Sequence, residues 1–304
     1  MDPYPKTMLE FEKRFSTEDS CREYIYQLRW PEGFICPRCD QRKCWRMSGG
    51  LYRCSHCKYR TSITAGTIFA DTRIPLRVWF RAIWQIVSQK HGMSALGLQQ
   101  VLGLNRYETT WTLLHKLRVA MVRPGRDRLE GPVQVDETYI GGKRPGKCGR
   151  GAEGKTLVVV AVEDRDKRPG RIRLHKVKDA SGKSLIPAVK DSVQPKSEVR
   201  TDGWEGYSQL SNSGFKHTII RKTADIGDNL LPLANLTVSL LKRWLQGTHQ
   251  GAPRGSHLDY YLDEFVFRFN RRTSRSRGLL FYRLIQQAVN IEPIRSQDIR
   301  GGRN

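Results

Sequence analysis

The sequence predicts an α+β chain built from several parts, on three observations. Two Cys-x-x-Cys pairs fall within the first sixty residues. A helical apolar period runs from about residue 75 to 120. From residue 133 the period shortens to the alternation of strands, then lengthens again into helices. The expected parts are a cysteine-bearing module over 1–70 with an N-terminal helix, a helical segment over 71–125, an α/β domain over 130–292 and a flexible tail over 293–304.

Charge narrows the class of partner. The 304 residues carry 53 Lys plus Arg against 30 Asp plus Glu, a net charge of +23. Such a chain seeks a polyanion, either nucleic acid or an anionic membrane. No apolar run approaches the roughly 18 residues that span a bilayer. The opening "MDPYPKTMLEFEKRF" has no apolar h-region and does not read as a signal peptide. Nucleic acid is therefore the expected partner, in the reducing cytoplasm. A ribosome-associated or simply very soluble basic protein is the alternative that charge alone leaves open.

The cysteine module comes first. In "FICPRCDQRKCWRMSGGLYRCSHCKYRTS", Cys36, Cys39, Cys54 and Cys57 form two pairs separated by fourteen residues. Two such turns supply the four thiolates of a closed, tetrahedral structural zinc site, one Zn²⁺ per chain. That pattern suits a metal in a reducing compartment better than disulfides. The interval around Gly49 and Gly50 predicts a hairpin between the two turns. Cys44 and His56 lie outside the pairwise symmetry and are expected to be non-ligands. Arg38, Arg42, Lys43, Arg46, Arg53, Lys58 and Arg60, interleaved with aromatics, make this zinc ribbon a candidate DNA contact.

The helical segment follows. Leu76, Trp79, Phe80, Ile83, Ile86 and Val87 mark one buried helix face. Ser94 and Asn105 are expected N-caps of two further helices. A short helix, a Leu-Gly-Leu-Asn turn and a longer helix over 106–120 resemble a helix-turn-helix, with Arg106, Lys116 and Arg118 on the reading helix. The alternative is an ordinary helical linker. "RPGRDRLEGP" predicts the boundary loop.

In the third part, "VQVDETYIGG", "TLVVVAVED" and "RIRLHKVKD" predict three consecutive strands, the middle one central. "ASGKSLIPAVKDSV" predicts a helix, "SEVRTDGWEGYSQL" a strand running into a helix, and "FKHTII" a further strand. Helices are expected over 229–246, 257–272 and 277–290. This order gives the layout of a ribonuclease H-like domain. In that layout Asp136, on the first strand, neighbours Asp202, at the end of the fourth. Two carboxylates so close repel unless a divalent cation lies between them, and Mg²⁺ suits oxygen ligands and phosphate substrates. A turn-capping role is the alternative for either alone. A third ligand is open between Asn235, which shares a helix face with Lys242, and Glu264, which could instead pair with Arg268 at i+4.

The cysteine module, the helical segment and the series "VDETYIGG…RTDGWEGY…SLLKRWLQGTHQGA…HLDYYLDEFVFRFNRR" resemble transposases of the IS1595 family, in its ISXO2-like group, from about residue 20 to 290. The resemblance implies a DDE-type catalytic domain whose third position is Glu in some branches and Asn in others, with a Lys seven residues on. Here those positions are Asp136, Asp202, Asn235 and Lys242. "DNLLPLAN" departs from the family pattern just before that helix, and Glu264 remains the alternative third acid. The family's chemistry implies metal-dependent cleavage at transposon ends and strand transfer into target DNA. Two catalytic Mg²⁺ ions are expected, with Mn²⁺ able to substitute, in a homodimer or larger assembly on paired ends. Arg243, Arg271, Arg272, Arg275 and Arg277 are further candidate DNA contacts. A transposase-derived DNA-binding protein that has lost catalysis is the competing expectation, and a nuclease acting on RNA–DNA hybrids is another.

Overall fold

The computed structural model describes residues 3–141, 154–222, 229–251, 253 and 255–302. Gly142 of "VDETYIGG" and Asp228 of "DNLLPLAN" lie outside them. The chain divides into two compact units, Met1–Arg123 with Ser274–Gly301, and Pro124–Thr273 with Gly302–Asn304.

The first unit opens with helices α1 (Met8–Arg14) and α2 (Glu18–Arg29). Thr7 caps α1, and Thr17 with Ser20 forms a capping box on α2. Strands β1 (Cys44–Met47), β2 (Leu51–Cys54) and β3 (Arg60–Ser62) then form the antiparallel sheet β1-β2-β3, with the expected hairpin turning through Ser48–Gly50. Helix α3 (Leu76–Ser88) buries all six apolar residues of its predicted face. Ser94 caps α4 (Ala95–Leu102) as expected. Gly103 adopts φ 64° at its end, and α5 (Tyr107–Ala120) follows. Asn105 is not the cap of α5. Arg106 holds that position without a side-chain cap, so the helix starts later than the sequence suggests.

The second unit is a five-stranded sheet with helices on both faces. In chain order its elements are β4 (Pro132–Ile140), β5 (Thr156–Arg165), β6 (Arg168–Val177), α6 (Gly182–Ser192), β7 (Glu198–Thr201), β8 (Lys216–Ile219), α7 (Pro232–His249) and α8 (Leu258–Asn270). The strand order is β6-β5-β4-β7-β8, with β6-β5-β4 antiparallel and β4-β7-β8 parallel. β5 is buried on both faces, which explains its unbroken apolar run. Val159 and Ala161 face the core that α6 covers, while Val158, Val160 and Val162 face the core of α7 and α8.

The expected helix after β7 is replaced by the 3₁₀ turns Glu205–Tyr207 and Ser211–Ser213. The Trp204 indole donates to the Ala180 carbonyl at 2.8 Å, and this tertiary bond holds the turn against the α6 entry.

Two further differences concern the C-terminal segment. Helix α9 (Arg277–Ala288) belongs to the first unit, not to a domain running through 292. Phe281 joins Phe11, Phe15, Phe80 and Trp84 in one aromatic cluster, with ring centroids 4.8 to 5.7 Å apart. A Cβ at Gly278 would collide with the Pro5 carbonyl, so this helix closes where only glycine fits. The expected flexible tail instead forms α10 (Ser296–Gly301), anchored by the buried Ile299; residues 303–304 lie outside the described set.

Candidate metal centre and acidic site

The two Cys-x-x-Cys turns are built alike. The N–H of Cys36 donates to the Gln41 carbonyl at 3.0 Å, and that of Cys54 to Tyr59 at 2.9 Å. Asp40 and Lys58, each following the second cysteine of its pair, return an N–H to the carbonyl of the first, at 2.9 and 3.2 Å. Both hold positive φ, 57° and 60°, which wraps each turn around its sulfurs. The four Sγ atoms lie within 4.8 Å of one another, with Cys36–Cys57 and Cys39–Cys54 each 3.6 Å apart. Sulfurs bound about 2.3 Å from a shared Zn²⁺ would stand about 3.8 Å apart in a tetrahedron, so the donor set fits that ion. The thiols share their protons unevenly: against burial, the N–H groups of Cys57 and His56 bring Cys54 down to about 7, while against the N–H of Gln41 burial and the neighbouring thiols push Cys39 up. Among the described residues this is the one cluster of three or more His, Cys, Asp and Glu side chains suited to a metal. Cys44 and His56 stand outside it, as expected.

In the second unit, β4 and β7 run parallel, pairing Pro132 with Glu198, Val133 with Val199 and Gln134 with Arg200. Continuing that register by two residues sets Asp136 level with Asp202, just beyond the end of β7. Asp136 also pairs with Val160 across β5, so its side chain points to the face that α7 and α8 cover. Asp136 is half-buried and Asp202 exposed. Each folds back on its own backbone, Asp136 Oδ1 accepting from Glu137 N at 2.8 Å and Asp202 Oδ1 from Trp204 N at 3.0 Å. Gly203 makes the second turn possible, because its φ is +84° and a Cβ there would lie 2.6 Å from Ile219.

Helix α7 is tied to the same strand. Gln134, buried two residues before Asp136 and on the same face, accepts N–H bonds from Leu233 at 2.9 Å and Ala234 at 3.3 Å. It thereby serves the first-turn donors that lack a side-chain cap. Asn235 and Lys242 line one groove along α7, together with Ser239 and Arg243. The Asn235 amide donates through Nδ2 to Asn229 Oδ1 at 2.7 Å, leaving its own Oδ1 as an acceptor. Burial lowers the Lys242 ammonium, the neighbouring Lys155 lowers it further, and Asp136 opposes both. Lys242 therefore lies within electrostatic reach of Asp136.

Glu264 is placed otherwise. It is fully buried on α8, which packs on the edge strand β6, and its Oε1 accepts from Arg268 Nη2 at 2.6 Å and Nε at 2.8 Å.

Sequence reading missed three contributors: Lys155 beside Lys242, Gln134 under α7, and Tyr207. The buried Tyr207 hydroxyl donates to Glu137 Oε2 at 2.9 Å. That bond joins the neighbour of Asp136 to the turn that carries Asp202. Burial holds the phenol well above its ordinary value, with Glu137, Asp136 and Asp202 adding to the effect, so it remains a donor. Only the aromatic in "WEGY" hinted at it.

The candidate DNA contacts divide by environment. Arg38, Lys43, Lys58, Arg60, Arg106, Arg243 and Arg275 are exposed. Arg42 and Arg46 are exposed but paired with Glu32 and Glu23. Arg53, Lys116 and Arg277 are half-buried, and Arg277 reaches the Val87 carbonyl. Arg271 lies over the Phe267 ring at 4.2 Å, while Arg272 donates to the carbonyls of Pro169, Gly170 and Phe269. Arg118 corrects the expectation. It is 1% exposed and enclosed against the buried His115, so it offers nothing to a DNA backbone in this fold. Helical periodicity alone did not reveal that it points inward.

Residues 16–60 match the transposase zinc-ribbon domain, and residues 128–270 match the ISXO2-like transposase domain. Over 281 residues the chain is 26% identical to an uncharacterized protein in transposable element ISH50 of Halobacterium salinarum, covering 84% of this chain and 92% of that one. It is 28% identical over 116 residues to an uncharacterized transposase-like protein of Haemophilus influenzae, covering 37% of this chain and 92% of the relative. The cysteine cluster accordingly lies in a zinc-ribbon domain, and its four sulfurs suit a structural zinc. No helix among the described residues is long and apolar enough to cross a membrane.

Proposed function

We propose that this chain, which belongs to the ISXO2-like transposases of the IS1595 family, cuts DNA at the ends of its insertion sequence and joins the freed ends to target DNA. The observation that carries the reading is the β4–β7 register, which brings Asp136 level with Asp202 on the five-stranded sheet, whose strand order supports a ribonuclease H-like reading. Two carboxylates set level where β7 ends beside β4 suit a hard divalent cation, Mg²⁺ or Mn²⁺. Bound there, such ions supply the charge that activates an attacking oxygen and stabilises a leaving one during phosphodiester chemistry.

The chain's own residues supply the rest. Asp136 and Asp202 would hold the cation, and Asn235 would offer it a neutral carbonyl oxygen from α7. Lys242, with Lys155 beside it, holds a non-bridging phosphate oxygen and fixes the scissile bond relative to Asp136. Tyr207 and Gln134 act as positioning residues by tying the Asp202 turn and the α7 start to β4. Glu264 is retained as the buried partner of Arg268. The zinc ribbon and the α4–α5 pair, read as a helix-turn-helix, bind the terminal repeats. Two ends handled together imply a homodimer or larger assembly.

The amide at the third position favours one alternative, a transposase-derived binding protein without catalysis. Strand cleavage and joining on the DNA ends flanking the gene, with Mg²⁺ or EDTA, separates the two. The proposed activity predicts Mg²⁺-dependent product that Asp136→Ala and Asn235→Ala abolish and Glu264→Gln spares. Loss with Glu264→Gln and not with Asn235→Ala would move the third ligand to α8. Wild type that binds these ends and never cuts them would leave the binding protein.

A further inference from the structure

The zinc-ribbon sheet has one covered face and one open face. On the covered face lie Tyr52 and Thr61, directly paired and buried, together with Cys54. On the open face Trp45 pairs with Arg53, which pairs with Arg60, so the three side chains form one row across all three strands. Trp45 is 50% exposed, far more than an indole left in a folded core. Its ring is fenced by cations, Lys58 Nζ at 4.6 Å and Arg53 Cζ at 6.0 Å from the centroid. Lys58 is itself fixed, its backbone at φ 60° and its Nζ donating to the Ser55 carbonyl at 2.6 Å.

The cations of this row are unspent. On the opposite side Arg46 is paired with Glu23, and in the loop before β1 Arg42 is paired with Glu32. Arg53, Lys58 and Arg60 form no ion pair with any described residue, and the buried Arg53 Nε has no hydrogen-bond partner. A flat sheet face with an exposed ring amid unpaired cations matches a polyanion that also presents flat apolar rings. Duplex DNA satisfies only half of this. It offers phosphates, but its base faces are stacked inside the helix and cannot lie on an indole. A single strand offers both.

We propose that the open face of the zinc ribbon is a binding site for single-stranded DNA next to a duplex end, with a base stacked on Trp45 and phosphates held by Arg53, Lys58 and Arg60. This rests on the reading of the chain as an enzyme of DNA ends, whose reaction exposes unpaired flanks. It assigns the ribbon a preference that a purely electrostatic duplex contact would not have.

The test uses the full zinc-loaded chain and labelled DNA of three kinds: blunt duplex, the same duplex with a six-nucleotide overhang, and single strand. Fluorescence anisotropy gives affinity, and 2-aminopurine in the overhang reports stacking directly. Wild type should bind the overhang substrate more tightly than the blunt one and quench the 2-aminopurine. Trp45→Ala should lose about tenfold on the overhang substrate, leave blunt-duplex affinity unchanged and relieve the quench. Trp45→Phe should recover most of both, and all variants should retain one zinc per chain. Equal losses on blunt and overhang substrates, or unchanged quenching in Trp45→Ala, overturns the proposal. If wild type binds blunt duplex and gains nothing from the overhang, this site fails while the reading of the chain as a DNA enzyme stands. If it binds none of the three, both fail.

Discussion

The cysteine cluster of the ribbon and the proposed acidic site are assembled in opposite ways. All four cysteines lie between residues 36 and 57, and each half of the site is a single turn closed by its own backbone bonds. The proposed acidic site would draw Asp136, Asp202 and Asn235 from three separate parts of the chain, with no local segment to join them. Its geometry is set by the β4–β7 register and by two long-range side-chain bonds, Tyr207 to Glu137 and Gln134 to the start of α7. A local site should therefore fail alone, while an assembled one should fail whenever its frame slips.

The largest effect expected is at the ribbon. Cys39→Ser leaves three thiolates, and the zinc-binding energy that structural sites of this kind contribute to folding is lost with the ion. Zinc stoichiometry should fall from one per chain to near zero. Amide exchange protection should collapse over residues 34–62 and persist over β4 and β5. Collapse spreading through the second unit would break the contrast.

Next comes the frame of the acidic site. Gln134→Ala strands two buried N–H groups of α7, at a cost of about 1–3 kcal/mol. It should also lower strand cleavage several-fold by loosening Asn235 and Lys242, with zinc content unchanged. Chemical denaturation and the cleavage rate check both parts. Full activity in a destabilised protein would show that α7 is held by its apolar face alone.

Tyr207→Phe keeps the ring and removes the bond to Glu137, leaving a half-buried carboxylate short of one donor. About 1 kcal/mol of stability should go, and the Mg²⁺ concentration needed for half-maximal cleavage should rise. Loss of stability with an unchanged Mg²⁺ requirement would make Tyr207 a packing residue only.

The smallest effect concerns a local device outside both sites. The Asp179 carboxyl accepts from Ser181 Oγ, Ser181 N and Ser184 Oγ at the start of α6, which lowers it from 3.8 to about 2. Its folded value is the lower one, so its contribution is complete above pH ~4 and is lost as pH falls through about 2. The stability gap between wild type and Asp179→Asn should be flat above pH ~4 and close below it. A gap that persists at pH 2 would contradict the assignment.

The same contrast explains what could be read from the sequence. Cysteine spacing picked out the four sulfurs that cluster because the group is local, and Cys44 and His56 stand outside it. The alternation of β4 and the two-faced apolar run of β5 announced a sheet. Side-chain direction was less legible. Arg118 looked available on a basic helix, yet it is packed against His115 inside the unit. The segment "SEVRTDGWEGYSQL" suggested a strand running into a helix, but the Trp204–Ala180 bond and the Gly203 turn impose 3₁₀ turns after β7 instead. Helix α9 carries an apolar face whose partners, Phe11 and Phe80, lie 270 and 201 residues upstream of Phe281, so no local pattern could assign it to the first unit.

The central claim is that Asp136 and Asp202 share a divalent cation, and Mn²⁺ binding to the zinc-loaded chain on its end DNA tests it most directly. Electron paramagnetic resonance would compare wild type, Asp136→Asn, Asp202→Asn and Glu264→Gln. Bound Mn²⁺ that disappears in both aspartate variants and survives in Glu264→Gln is the predicted result. Retention in either aspartate variant, or loss only in Glu264→Gln, would contradict it.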